Sequence, residues 1–208
     1  MLQHKTFYFS DFLVICILFA MCGQSNGLFA SELTSADKDS SLVVENKTSR
    51  VIVINGHTLP PMPDKTLNDA TLLGIDSNNN GVRDDVEIWI YQTYKDKHPI
   101  YIDIAMQAGR AYKQVLETPE KAKEIHETVV NAPFYCTWYY QKGAKYFGDP
   151  VLVNERIDVP VKSKYFNTKE RKDVYWEYDT LLSGGSYSLP KIQKRKSLCD
   201  FDTSKYDK

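Results

Sequence analysis

The sequence predicts a mainly α-helical domain with minor short β segments, and three observations lead to this fold class. Apolar residues recur at helical spacing between residues 100 and 117. Prolines and capping residues mark the starts of further helices. Runs of β-branched residues are short and interrupted, so strands should contribute little. A chain of 208 residues has room for one such domain with a leader and a tail.

The first 22 residues have the features of a leader. Lys5 supplies a positive end, and residues 12–22 form an unbroken apolar run. This run is too short for an ordinary membrane-spanning helix, but its length suits a signal peptide. Cleavage is expected after Cys22 or Ala30, and lipidation of Cys22 in a lipoprotein is the alternative. The protein is therefore expected to be secreted or periplasmic, with a lipid anchor to the cell envelope in the second case.

The remaining chain divides by composition. Residues 23–58 are mostly polar and predict a flexible tether, with one possible short strand at 51–54. Residues 59–202 hold the helical patterns and are predicted to form the domain. Residues 203–208 are mostly polar, which predicts a disordered tail.

Within the domain, the first part should contain two short helices and one long one. A short helix is expected at 66–73 and a second at 84–97, where Glu87 should point away from the apolar face. The third, at 100–117, carries the clearest apolar stripe, which consists of Ile100, Ile104, Ala108, Ala111 and Val115.

In the second part of the domain, the sequence predicts three further helices. One begins at Thr118-Pro119, with His126 beside its apolar stripe as a packed histidine, and another covers 134–146. Residues 151–161 are rich in β-branched residues and predict a loop or a short strand pair. A final helix is expected from an N-cap at 167–170 to residue 182.

Residues 76–87 have the spacing of a calcium-binding loop. Calcium takes six to eight oxygen ligands, and alternate short oxygen-bearing side chains in one segment can supply them. Gly81 stands at the sixth position, where the chain must turn sharply. The predicted ligands at the first, third, fifth, seventh, ninth and twelfth positions are Asp76, Asn78, Asn80, the carbonyl of Val82, Asp84 and Glu87. The alternative is a turn at Asn80-Gly81 that leads into a helix, since acidic residues also favour a helix N-terminus.

This loop resembles that of the EF-hand, and in one detail it is closer to the thrombospondin type 3 repeat. The eighth position, usually aliphatic in EF-hands, is Arg83, and the aliphatic residue is Val82. The resemblance covers the loop alone and implies the ligand set but no larger fold. Residues 59–94, which open with Leu-Pro-Pro-Met-Pro, also resemble the start of bacterial envelope proteins without a known activity. That likeness implies a secreted helical protein.

The domain has two cysteines, Cys136 and Cys199. In an oxidising compartment a disulfide between them is the simplest expectation. The alternative is a nucleophilic cysteine paired with His98 or His126, which no surrounding signature supports. The aromatic group at 134–140 is expected to pack in the core or an interface rather than bind sugars.

The formal net charge is −1, which argues against a nucleic-acid-binding protein.

From the loop motif we expect a calcium-binding protein in which the ion stabilises a loop and the following helix, without an enzymatic role. One alternative is an envelope hydrolase, although no spacing identifies its catalytic groups. The other is a binding module that uses the aromatic group to hold a glycan or a protein. The sequence identifies no protein partner.

Overall fold

The computed structural model describes residues 51–207, and these residues are mainly helical as predicted. The predicted leader with Cys22 and residues 23–50 of the predicted tether lie outside the described residues. The elements in chain order are β1 (Val53–Ile54), β2 (His57–Thr58), α1 (Lys65–Asp69), α2 (Asp84–Tyr94), α3 (Ile100–Glu117), α4 (Ala122–Ile125), α5 (Ala132–Trp138), α6 (Asp158–Tyr165), α7 (Lys169–Leu181) and α8 (Ile192–Arg195).

The long helix α3 lies at the centre and contacts α2, α5, α6 and α7. Its predicted stripe is confirmed, because all five of the stripe residues are buried. Burial of such a stripe on several sides supplies most of the stability that a helix needs in water. The candidate loop before α2 contacts this helix, since Val82 packs against Gly109.

The helix predicted at 134–146 is present in three consecutive pieces. The α-helical turns of α5 continue as a π-helix at Tyr139–Gly143 and a 3₁₀ turn at Ala144–Tyr146. Its aromatic residues mostly face inward, with Tyr135, Tyr139 and Tyr140 buried. The aromatic group at 134–140 is thus part of the core, as expected.

Three expectations about irregular segments need correction. Residues 151–157 form a loop, which is one of the two alternatives expected for 151–161, but residues 158–161 belong to α6, where Pro160 is tolerated in the first helical turn. Residues 53–58, assigned to the tether, form a hairpin whose Asn55 side chain donates a hydrogen bond of 3.1 Å to the Lys95 carbonyl. The described tail residues 203–207 are also ordered, since Tyr206 is buried and donates a hydrogen bond of 2.7 Å to Asp103.

The predicted disulfide joins Cys136 in α5 to Cys199, which follows the 3₁₀ turn Lys196–Leu198 after α8. The two residues are 63 positions apart in the chain. The bridge therefore ties the C-terminal segment to the core. None of the helices in residues 51–207 combines the length and apolar character needed to cross a membrane.

Candidate metal site

The candidate loop turns sharply between α1 and α2. Asn79 and Gly81 both have positive φ angles, +55° and +86°. Asparagine tolerates this region better than most residues, and glycine adopts it without a steric penalty. The backbone NH of Asp84 then donates a hydrogen bond of 2.8 Å to the Ile75 carbonyl, so the loop closes where α2 begins.

Glu87 is the point on which the loop converges. Its side chain is fully buried, although it was expected only to point away from the apolar face of α2. The side-chain amides of Asn78 and Asn80 donate to its Oε2 at 3.0 and 2.7 Å. The third, fifth and twelfth positions of the predicted ligand set therefore meet at one carboxylate.

His57 covers the other oxygen of Glu87, a contact that no sequence pattern indicated. Its Nε2 lies 2.7 Å from Oε1 of Glu87. The imidazole also stacks on the Tyr91 ring of α2, with centroids 4.4 Å apart. The hairpin that contains β2 therefore closes one side of the loop.

Asp76 organises the turn itself. Its two carboxylate oxygens accept hydrogen bonds from the backbone NH groups of Asn80 and Gly81, at 3.1 and 3.0 Å. The Lys113 ammonium of α3 lies 3.5 Å from Oδ2. Asp76 is thus placed at the loop, with hydrogen bonds that hold the turn in shape.

Asp84 has a buried oxygen without a partner. Its Oδ1 accepts a hydrogen bond of 3.0 Å from the Ser77 backbone NH, whereas Oδ2 has no hydrogen-bond partner among the described residues. Burial raises the pKa of the Asp84 carboxyl, and the nearby negative charges of Asp76 and Glu87 raise it further. The hydrogen bonds from Ser77 lower this pKa but do not cancel the rise. A buried carboxylate in this state is costly unless a cation accompanies it.

Val82 anchors the middle of the loop to α3. Its side chain is fully buried against Gly109, where an added Cβ atom would lie 2.9 Å from Cγ1 of Val82. Its backbone NH donates a hydrogen bond of 2.9 Å to Oδ1 of Asn80. The predicted carbonyl ligand is therefore held in place by core packing.

The donor chemistry fits a hard cation, on one condition. The five side chains of the predicted set carry only oxygen acceptors, which calcium prefers. Among residues 51–207, however, no three His, Cys, Asp or Glu side chains form a group that would hold a metal ion. The amides of Asn78 and Asn80 direct NH₂ groups at Glu87, so ion binding requires both amides to rotate and present their oxygens.

Arg83 attaches the loop to α6. The side chain is fully buried, and it pairs with Asp85 of α2. Its Nη1 donates a hydrogen bond of 3.1 Å to the Tyr165 carbonyl, and its guanidinium lies 5.0 Å from the Tyr165 ring centroid. The buried role of Arg83 was not predicted from the sequence. The only sign of it was that an arginine stands where EF-hand loops usually have an aliphatic residue.

A second buried arginine, Arg171 of α7, holds the segment before the loop. It donates hydrogen bonds to the carbonyls of Asn68, Thr71 and Leu72 at 2.6, 2.9 and 2.8 Å. Asn167 accepts a bond from Arg171 at 2.7 Å and from Arg83 at 3.4 Å. The two arginines therefore attach the loop and the segment before it to the junction between α6 and α7.

His126 is a packed histidine, as expected. Its Nδ1 lies 2.7 Å from the Tyr178 hydroxyl and its Nε2 lies 3.0 Å from the Asn131 amide. Since both ring nitrogens have partners, this residue has no nitrogen available for an incoming substrate. This arrangement gives no support to the hydrolase alternative.

No protein-family model matches this chain, and no curated protein or solved structure matches it. The candidate function therefore rests on the geometry of the described residues and on the sequence pattern.

Proposed function

We propose that this protein binds calcium at residues 76–87 and that the ion stabilises the loop and the start of α2. The observation that carries the proposal is the meeting of Asn78 and Asn80 with the buried Glu87 carboxylate. Although both amides donate to Glu87, three of the six predicted ligand positions lie within hydrogen-bond distance of one another. Rotation of the two amides would present their oxygens beside this carboxylate, which supports a shared cation where the sequence pattern requires one.

The charge balance supports the same proposal. Three carboxylates, those of Asp76, Asp84 and Glu87, belong to the loop, and two of them are buried. Two groups form ion pairs with these carboxylates, Lys113 with Asp76 and, when protonated, His57 with Glu87. Neither reaches Oδ2 of Asp84, so a divalent ion in the loop would offset a cost that the protein leaves uncompensated.

The proposed role is structural, because residues of the loop contact three other parts of the fold. Val82 packs on α3, Arg83 binds α6 and His57 covers Glu87. An ion held here would order the segment between α1 and α2. We further propose, from the leader-like pattern of residues 1–22, that the protein works outside the cytoplasm, where calcium is abundant and a disulfide persists.

Isothermal titration calorimetry of the oxidised protein with calcium tests the proposal. We expect a single site with a dissociation constant on the order of 10⁻⁴ M, because two of the side-chain ligands are neutral. Magnesium should bind more weakly, since it demands a stricter octahedral shell. Absence of heat at millimolar calcium would refute the assignment.

A further inference from the structure

A groove with a volume of about 470 Å³ lies between α6 and α7, and none of its lining residues belongs to the candidate calcium loop. This volume is within the usual range for small-molecule sites. Its apolar part consists of Phe166, Tyr175 and Trp176. Phe166 is buried at the base, and its ring centroid lies 4.9 Å from that of Tyr175.

Trp176 is unusually exposed for a tryptophan. Its exposed fraction is 63%, whereas Trp89 and Trp138 are both half-buried. A large aromatic side chain left in water forgoes a sizeable hydrophobic gain, and such residues often mark binding surfaces. The exposed ring therefore gives the groove a flat apolar wall on which a ligand ring can stack.

The groove is also positively charged. Lys162 and Lys172 line it, no carboxylate does, and neither lysine forms an ion pair with a described acid. The Lys162 ammonium lies 3.8 Å from the Tyr175 ring centroid, which holds this charge beside the aromatic wall. By contrast, the neighbouring Lys169 is paired with Asp173 at 2.6 Å.

Two polar side chains complete the lining. Ser163 offers a hydroxyl, and Asn167 offers an amide whose oxygen is held by Arg171 at 2.7 Å. Because Arg171 is fully buried, this wall of the groove is fixed before any ligand arrives. A ligand with several hydroxyl groups would find donors and acceptors here without rearrangement of the fold.

We propose that the groove binds a negatively charged sugar of one or two rings. The apolar face of a sugar ring stacks on Trp176, its carboxylate pairs with Lys162 or Lys172, and its hydroxyls bond to Ser163 and Asn167. A short acidic peptide shares the charge but lacks a rigid ring face for the tryptophan, so the aromatic wall favours the sugar. This inference is independent of calcium binding.

The test compares two disaccharides that differ in one group, cellobiouronic acid, which carries a carboxylate, and neutral cellobiose. Binding is followed by tryptophan fluorescence and by calorimetry at constant ionic strength. We expect the acidic sugar to bind roughly tenfold more tightly, as one added charge-assisted contact would produce. The double variant Lys162→Gln/Lys172→Gln should abolish this preference.

Substitution of Trp176 tests the stacking wall. Trp176→Ala should weaken binding of the acidic sugar roughly tenfold, and Trp176→Phe should restore part of the loss. Tyr146→Ala is the matched control, because Tyr146 is 65% exposed and has the Lys145 ammonium 5.1 Å from its ring, but it lies outside the groove. The melting temperature of each variant shows whether it is folded.

Four results would overturn the proposal. One is equal affinity for cellobiose and cellobiouronic acid, and another is complete competition by triglutamate at the same concentration as the sugar. The third is binding that Trp176→Ala and Tyr146→Ala change to the same extent. A lack of any binding at millimolar disaccharide also rejects the groove as a sugar site.

Discussion

Arg83 of the candidate calcium loop donates a hydrogen bond of 3.1 Å to the carbonyl oxygen of Tyr165, at the end of α6. The two residues are 82 positions apart in the chain, and the arginine side chain is fully buried. The loop is therefore part of the tertiary structure and does not act as an isolated local turn. Its stability should depend on this contact as much as on its own turn residues.

Arg83→Ala should lower the free energy of unfolding by about 3 kcal/mol, since removal of one member of a buried ion pair leaves its partner uncompensated. The matched control is Arg110→Ala. Arg110 also pairs with an aspartate, Asp200 at 2.7 Å, but its side chain is 35% exposed, so the loss should be about 0–1 kcal/mol. Urea unfolding of both variants checks the difference. Equal losses would show that the Arg83 contact contributes no more than a surface pair.

Features with a local periodic pattern were predictable from the sequence. The stripe of α3 follows from apolar residues at helical spacing, and the helix after residue 167 follows from a capping residue, although the cap is Thr168. The calcium ligands proposed for the loop also come from local spacing, and their role in binding an ion stays a prediction. In each case the residues that determine the structure are neighbours in the chain.

Contacts between distant segments were not predictable. Arg171 binds the Leu72 carbonyl, 99 positions away, and backbone carbonyls carry no sequence signature. His57 was placed in a tether because its surroundings are polar, yet it covers Glu87. Tyr206 was placed in a disordered tail, but burial against α3 and a bond to Asp103 order this segment.

Reduction of the disulfide should destabilise the fold. Its two cysteines are 63 positions apart. In the chain-entropy model, a cross-link over this length raises the free energy of the unfolded chain by about 4 kcal/mol, because the chain loses conformational entropy. The double variant Cys136→Ala/Cys199→Ala should show a similar loss in urea unfolding. Thiol labelling of the oxidised, denatured protein should modify neither cysteine. Labelling of both would contradict the bridge.

Acid should weaken the packing around His126. Burial lowers the pKa of this imidazole more than Glu127 and Asp179 raise it. Below the usual pKa of about 6.5 the unfolded chain therefore takes up a proton that the folded chain resists, and the free energy of unfolding falls as pH drops. His126→Gln should flatten this slope between about pH 7 and 5 in urea unfolding.

Glu127→Gln is the control for that slope. This variant keeps the imidazole of His126 and removes a carboxylate that raises the pKa of that imidazole. The fall in the free energy of unfolding with pH should therefore persist. If His126→Gln leaves the pH dependence unchanged while Glu127→Gln removes it, the titrating group is the glutamate and not the histidine.

Removal of calcium should lower the melting temperature and free the loop before α2, while the helices from Ile100 onward remain folded. An ion that binds only the folded chain stabilises it by about 2.7 kcal/mol at a hundred times its dissociation constant. Glu87→Gln should remove most of this gain, because Glu87 is the carboxylate on which the loop converges. Hydrogen exchange with and without chelator locates the change.

The control for Glu87→Gln is Asn79→Gly, at a position outside the ligand set. Glycine keeps the positive φ of +55° that Asn79 adopts, so the turn itself is preserved. This variant should retain the full difference between the melting temperatures with calcium and with chelator. A chelator that leaves the melting curve of the unmodified protein unchanged would reject the structural role of the ion.

Asp84→Asn separates the ion from the rest of the loop. The Asn side chain keeps the oxygen that accepts a hydrogen bond from Ser77, but it removes the charge of a carboxylate whose Oδ2 is buried without a partner among the described residues. Burial raises the pKa of Asp84, which means that its charged form costs free energy in the folded protein at neutral pH. In chelator the variant should therefore melt no lower than the unmodified protein. In millimolar calcium the order should reverse, because the ion offsets this cost only where the charge is present. If the variant is less stable by the same amount in both conditions, the charge of Asp84 does not serve a cation and the proposed ligand set is wrong.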